Sequence, residues 1–143
     1  MAMSRAEEIE RTIRRATIAS IAIGIVLSPI PLADELVFLP GSGALAARIA
    51  RAHGLALKAV PWRPIALTAL AGLGARAAIN VTVSYIPFVA AAANAASAAT
   101  LTRFFGRYVD TACENAAHGR ETRALGWRDI VETIRPAKVS PAT

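Results

Sequence analysis

Two uncharged stretches, each interrupted by proline, constrain the fold of this chain more than any other feature. They cover residues 16–33 and 77–102 of the 143-residue sequence. A membrane-spanning helix needs about 20 mostly apolar residues, so length alone allows both stretches to enter a bilayer. Proline removes a backbone donor, and lipid cannot satisfy the carbonyl groups that are freed. Each stretch is therefore predicted to turn at its prolines. The predicted helix breaks are Pro29, Pro31 and Pro87.

Composition predicts an all-α fold. Apolar residues make up 55% of the chain and charged residues 18%, outside the usual ranges of about 45–50% and 25%. Much of the apolar fraction is alanine, which favours helix, and no alternation of β-branched residues indicates strands. The length fits a single domain, so residues 1–143 are expected to form one helical domain.

Local signals predict where several helices begin and end. Ser4–Glu7 (SRAE) has the pattern of a capping box, which places a helix start near Arg5. The sequence LPGSG at 39–43 is expected to interrupt the helix that follows the first break. Gly54 and Gly119 are expected to end helices in the left-handed conformation.

A weak internal repeat relates the two halves of the chain. A shift of 56 residues aligns Ser28, Ile30 and Pro31 with the second Ser-x-Ile-Pro segment at 84–87. Chance similarity between two alanine-rich helices is the alternative. The predicted segments are an amphipathic N-terminal helix start at 1–15, repeats at 16–54 and 64–118, and an amphipathic C-terminal helix at 120–136.

The net charge of +6 predicts an anionic partner. Fourteen of the 16 cationic residues are arginine, and most border apolar segments instead of crowding one helix. That distribution favours anionic lipid headgroups over nucleic acid. The residues expected to contact a membrane are Arg14, Arg15, Arg48, Arg51, Arg103, Arg107 and Trp127.

The chain also resembles a group of bacterial helical domains found with Era-like GTPases and similar to EcsC-type proteins. The resemblance covers about residues 16–115. It is carried by Ile30-Pro31 followed by Asp34, Arg48-Ile49-Ala50 with Gly54, Ile86-Pro87, and Thr102 with Gly106-Arg107. It implies a membrane-associated module of unknown biochemistry. Unlike the members that are fused to a GTPase, this sequence carries no GTPase domain, so a nucleotide role would belong to a separate GTPase partner.

The arrangement of the cations predicts hairpins instead of crossings. Arginines lie before the first uncharged stretch, between the two stretches and after the second. Because positive residues favour the cytoplasmic side, two hairpins that enter and leave by the same face would keep all three groups there. Two single crossings and a soluble helical bundle are the alternatives.

Few residues indicate a chemical site. Asp34 and Glu35 form a candidate polar site and are the difficulty for the hairpin model, because a carboxylate in the bilayer centre costs about 2.5–3.5 kcal/mol. Either the tip that carries them is buried in protein with a basic partner, or it lies at the membrane interface, or the domain is soluble. Asp110, Glu114 and His118 lie at helical spacing, which suits either a metal site or a solvated face with an Arg107–Asp110 pair. With a single cysteine and no catalytic grouping, the chain is expected to be no enzyme and to need no cofactor.

The leading hypothesis is thus a membrane-associated helical bundle on the cytoplasmic side of the membrane. It would act in anchoring, scaffolding or remodelling, as a homo-oligomer or with a protein partner. A pore or transport component that uses Asp34 is the first alternative. A soluble helical oligomer is the second.

Overall fold

A computed structural model describes residues 4–26, 33–83 and 87–134. Five α-helices and one short 3₁₀ turn at Leu57–Ala59 account for nearly all of these residues, and no strand occurs among them. The predicted all-α class is therefore confirmed. The helices are α1 (Arg5–Val26), α2 (Ala33–Ala52), α3 (Trp62–Val83), α4 (Pro87–Ala117) and α5 (Trp127–Ile134).

Helix α1 begins with the predicted capping box. The Ser4 amide donates to Oε2 of Glu7 at 2.8 Å, and the Glu7 amide donates to Oγ of Ser4 at 3.3 Å. These bonds favour the charged carboxylate and so lower the pKa of Glu7. Helix α1 ends at Val26, and the predicted breaks at Pro29 and Pro31 lie outside the described residues.

The expected interruption at 39–43 is wrong. Helix α2 runs continuously through Pro40, although proline costs a helix interior about 3 kcal/mol or more. The turns that follow supply the compensation, because Leu45, Ala46 and Ile49 are fully packed in the core. Tertiary burial therefore overrides local propensity here.

Glycines end two helices as predicted. Gly54 has a φ of 71° and Gly119 a φ of 66°, in the left-handed region that glycine adopts without strain. The amide of Leu55 donates to the Ala50 carbonyl at 2.9 Å, and the amide of Arg120 donates to that of Asn115 at 2.8 Å. Both patterns are Schellman motifs, which satisfy the last carbonyl groups of α2 and α4.

The most extensive helix–helix contact among the described residues joins α1 and α4. Arg107 pairs with Glu10, Gly106 lies against Ile13, and Thr102 donates to Ser20. Residue numbers in these pairs fall along α4 as they rise along α1, so the two helices are antiparallel.

Among the four longer helices, those that are neighbours in sequence are also antiparallel. Six residues connect α1 to α2 and three connect α3 to α4, and within each pair the helices pack together, as in an antiparallel αα-hairpin. The end of α1, the start of α2, the end of α3 and the start of α4 consequently lie at one end of the bundle, here called the proline end. The opposite end, which carries Gly54, Gly119 and the turn at 57–59, is the basal end.

The larger hydrophobic core lies toward the basal end. Its biggest buried members come from four helices: Ile9, Ile13, Leu45, Ile49, Ile65, Phe105 and Val109. Helix α5 closes a smaller cluster, in which Ile130 packs with Ala75 of α3 and Leu101 of α4. The amide of Leu125 donates to Oγ1 of Thr68 at 2.9 Å and fixes the segment that leads into α5.

No helix in the three described segments combines the length and the apolar composition of a membrane-spanning segment. The 56-residue repeat stays a prediction, because the segments that best define it, around Pro31 and at 84–86, lie outside the described residues.

Gly106 is predicted to be the most sensitive helical glycine. A Cβ at this position would lie 2.8 Å from Cγ1 and 3.1 Å from Cδ1 of Ile13. We expect Gly106→Ala to lower the free energy of unfolding in urea, because overpacking of about 1–3 kcal/mol outweighs a helix-propensity gain of about 0.5–1 kcal/mol.

The matched control is Gly74→Ala on α3. No atom lies within 4 Å of a Cβ built there, so the same substitution should raise stability by about 0.5–1 kcal/mol. Equal stability gains at both glycines would contradict the close approach of α1 and α4.

Candidate functional site

All six arginines that were predicted to contact headgroups are exposed, and they lie around the bundle at a similar level. They are Arg14, Arg15, Arg48, Arg51, Arg103 and Arg107. On α4, Arg103 lies between the two residues that contact Glu10 and Ser20 of α1, which brings it level with Arg14 and Arg15. Arg48 and Arg15 border the same cleft between α2 and α1. We call these six residues the arginine belt.

One member of the belt is paired. Nη2 of Arg107 lies 2.5 Å from Oε2 of Glu10, and both side chains are more than half exposed. Exposed ion pairs contribute about 0–1 kcal/mol, so Arg107 stays available to exchange this partner for an anionic ligand.

Beyond the belt, toward the proline end, the four longer helices have long uncharged sections, and their charged residues there are the buried Arg76 of α3 and Asp34 and Glu35 in the first turn of α2. Residues 16–26 of α1, 36–47 of α2, 77–83 of α3 and 87–102 of α4 contain no charged residue. Apolar side chains are exposed on this part of the surface, with Ile18 at 60%, Ile25 at 56% and Val26 at 72% exposure. Val37 and Leu39 of α2 are also exposed. Antiparallel packing therefore gathers the uncharged helix sections into one apolar end.

Trp127 lies at the level of the belt. It follows Leu125, which is bonded to Thr68, and precedes Ile130, which packs with Leu101. The residue is 57% exposed, and the guanidinium of Arg128 lies 5.7 Å from its ring centroid. An exposed tryptophan with a neighbouring cation suits the interface between headgroups and acyl chains.

The candidate polar site is only partly described. Asp34 and Glu35 lie in the first turn of α2, where negative charge is stabilised by the helix dipole. The structure describes their place in the helix but not their side chains. The expectation of a polar site at these carboxylates therefore stays a prediction. Pro87 is the first residue of α4, a position where the missing amide is harmless.

Sequence reasoning missed a cleft of about 410 Å³ between α1 and α2, with contributions from α3 and α4. Small residues create it, since Ala16, Ala19 and Gly24 of α1 oppose Gly41 and Ala44 of α2. The pattern of small residues was visible in the sequence. It usually indicates close helix contact, and only the structure shows that the space stays open.

Several polar side chains line this cleft, among them three arginines. Arg15 and Arg48 are the exposed arginines on its border, whereas Arg76 of α3 is only 3% exposed and reaches the interior. Oγ1 of Thr102 donates to Oγ of Ser20 at 2.9 Å, and Ser20 donates to the Ala16 carbonyl. The two hydroxyl groups thus donate within the protein, and the described lining offers the guanidinium groups of Arg15 and Arg48, which suit binding of an anion.

The predicted pairing of Arg107 with Asp110 is wrong. Oδ1 of Asp110 instead lies 2.7 Å from Nε2 of His53, which follows the end of α2 and whose side chain is 5% exposed. This contact joins residues 57 positions apart and fixes α2 to α4 at the basal end. Nδ1 of His118 lies 2.8 Å from the Glu114 carbonyl. Among the described residues, no three His, Cys, Asp or Glu side chains are placed to hold a metal ion.

Cys113 is fully buried in the core of α4. Burial, with a smaller contribution from the charge of Asp110, raises the pKa of its thiol to about 11. Since the thiolate is the reactive form, this thiol is suited to packing and not to nucleophilic chemistry at neutral pH.

Comparison with known proteins identifies no relationship: no family model, curated protein or solved structure matches the chain. The resemblance to EcsC-type domains therefore stays a prediction from the quoted motifs.

The Cys113 thiol is predicted to be inert in the folded protein. At pH 8 we expect slow reaction with Ellman's reagent, because the thiol is both buried and protonated well below its pKa of about 11. In concentrated guanidinium chloride the same thiol should react at the rate of a model cysteine. Immediate stoichiometric reaction of the folded protein would contradict the burial of this part of α4.

Proposed function

We propose that the chain is a non-enzymatic, membrane-associated helical module that inserts its proline end into one leaflet of an anionic membrane. The observation that carries this proposal is the division of the bundle surface into an apolar end and an adjoining arginine belt. Apolar side chains such as Ile25 and Val26 would enter the lipid, and the belt would lie at the headgroups.

The dimensions favour insertion into a single leaflet. The uncharged section 16–26 of α1 is about 16 Å long at 1.5 Å per residue. The hydrocarbon core of a bilayer is about 30 Å thick, so this length corresponds to about half of it. Insertion from one side leaves the four helix ends at the proline end in the same leaflet and every arginine of the belt on the side of entry. Asp34 and Glu35 would enter with the start of α2, at a cost of about 2.5–3.5 kcal/mol for each carboxylate that reaches the bilayer centre.

The charges favour the cytoplasmic leaflet. Anionic lipids are concentrated there, and a basic residue near such a surface contributes about 1 kcal/mol to binding. The belt supplies six such residues, of which Arg107 alone has an acidic partner among the described side chains. The basal end, including Lys58, would face the cytoplasm.

The role that follows is anchoring, scaffolding or remodelling of the membrane. Cooperation with a separate GTPase is part of the proposal on the strength of the EcsC-like motifs alone. A shallow apolar wedge in one leaflet expands that leaflet and favours curvature, which suits a remodelling role.

Self-association is a second candidate, favoured by the exposed face of α3. Leu67 and Leu70 are 49% and 53% exposed on successive turns, with Gly74 one turn further on. Such a stripe would pack against a second copy of the chain. Sedimentation equilibrium of the wild type and of Leu67→Gln/Leu70→Gln would separate a homo-oligomer from a monomer.

Membrane insertion of the proline end predicts a position-dependent signal. We expect an environment-sensitive NBD label at Val26→Cys to shift to the blue and brighten on vesicles that contain phosphatidylglycerol. The same label at Lys58→Cys, on the basal end, should stay in water and show little change. The native Cys113 is buried, so it should not compete for the label.

Charge variants test the belt separately. Arg14→Gln/Arg103→Gln should weaken vesicle binding by roughly 30-fold at low salt, from about 1 kcal/mol for each charge removed. Arg63→Gln, outside the belt, is the matched control. The proposal fails if the wild type ignores phosphatidylglycerol vesicles, or if the label at position 58 responds more strongly than the label at position 26.

A further inference from the structure

We propose that the cleft between α1 and α2 binds a single-chain anionic amphiphile. Its aliphatic chain would lie between the two helices, and its negatively charged head would contact Arg15 and Arg48. This inference does not depend on the proposed membrane insertion, because a monomeric amphiphile in solution can fill the cleft.

The size of the cleft fits such a ligand. Its volume of about 410 Å³ falls within the range of roughly 300–1,000 Å³ that is typical of small-molecule sites. Most of the lining is apolar, with Ile23, Phe38 and Phe105 as the larger members. Such a lining favours an aliphatic chain over a sugar or a nucleotide.

The polarity of the cleft is graded along its length. Arg15 and Arg48 belong to the belt, whereas Ile23 lies eight residues further along α1, or about 12 Å toward the proline end at 1.5 Å per residue. Val37 and Phe38 line the corresponding part of α2, 11 and 10 residues from Arg48 respectively. An amphiphile would therefore be held with its head at the belt and its chain toward the proline end.

Three of the hydroxyl groups that line the cleft are already engaged within the protein, and Ser42 carries the fourth. Thr12 donates to the Glu8 carbonyl, Ser20 to the Ala16 carbonyl, and Thr102 to Ser20. With these three donors used and most of the remaining lining apolar, the interior presents mainly hydrocarbon to a ligand. The groups that remain to select a ligand by charge are the two arginines at the border.

Electrostatics favours an anionic head over a neutral one. The described lining residues carry three arginines and no acidic side chain. Arg76 is buried and already interacts within the protein, so it adds positive potential at the floor without having to touch the ligand. Arginine can bind a carboxylate or a phosphate through two parallel hydrogen bonds, so both kinds of head match this chemistry.

The test is displacement of cis-parinaric acid, a fluorescent fatty acid, below its critical micelle concentration. We expect saturable binding to the full chain and competition by palmitate, by palmitoyl-lysophosphatidylglycerol, or by both. The two competitors distinguish a free fatty acid from a membrane-derived lipid. The neutral hexadecanol should compete at least tenfold more weakly, because it lacks the charge that the arginines select.

Two sets of variants assign the site. Arg15→Gln/Arg48→Gln should weaken cis-parinaric acid binding at least tenfold and abolish the preference for palmitate over hexadecanol. Gly41→Leu should block binding by filling the cleft, since no atom lies within 4 Å of a Cβ built at Gly41.

Each variant has a matched control. Arg63→Gln removes an exposed charge that does not line the cleft, and Gly74→Leu places the same side chain in open space on α3. Both should bind like the wild type, and circular dichroism with thermal melting verifies the fold of all four variants. Failure of the wild type to bind would overturn the inference. Unchanged binding by Gly41→Leu, or equal competition by hexadecanol and palmitate, would also overturn it.

Discussion

The close contact between Ile13 of α1 and Gly106 of α4 is the constraint on which the rest of the arrangement depends. A side chain on residue 106 would overlap Ile13, so only glycine permits this approach of the two helices without a shift. The contact lies between the Arg107–Glu10 pair and the Thr102–Ser20 hydrogen bond. Together the three contacts set the direction and the register of the largest helix interface in the described residues.

That register determines how the charged and uncharged sections of the sequence are distributed over the surface of the bundle. In the sequence, charged and uncharged sections alternate along the chain, and neither section is unusual for a helical protein. Antiparallel packing brings the uncharged parts of four helices to one end, with six arginines around the adjoining section. An apolar end next to a cationic border is the arrangement that a peripheral membrane module requires.

The helices themselves were largely predictable because their signals are local. The Ser4–Glu7 capping box and the glycines at 54 and 119 appear in the structure where the sequence places them. The C-terminal helix expected at 120–136 begins only at Trp127. Helix α2 is the other exception. Its Pro40 predicts a break, but burial of Leu45 and Ile49 stabilises the helix around it. The local rule that proline ends a helix fails there, because packing against other helices offsets the cost of Pro40.

The candidate site was predictable only in its parts. The belt arginines could be named from their positions beside uncharged sections, but their common level depends on helix register. The His53–Asp110 contact joins residues 57 positions apart, and the pattern around Asp110 favoured Arg107 as its partner instead. The cleft depends on how far α1 and α2 approach each other. Small residues permit both a closed contact and an open space, so the sequence does not decide between them.

The register of α1 against α4 is tested most directly by disulfide formation in Ser20→Cys/Thr102→Cys. Oγ of Ser20 and Oγ1 of Thr102 lie 2.9 Å apart, so the two sulfur atoms should fall within bonding reach. Mild oxidation is predicted to form an intramolecular disulfide, visible by mass spectrometry and on non-reducing gels. Thr12→Cys/Thr102→Cys should stay reduced, because Thr12 lies about 12 Å from Ser20 along α1. A disulfide in the second pair and none in the first would contradict the register that gathers the uncharged helix sections at one end.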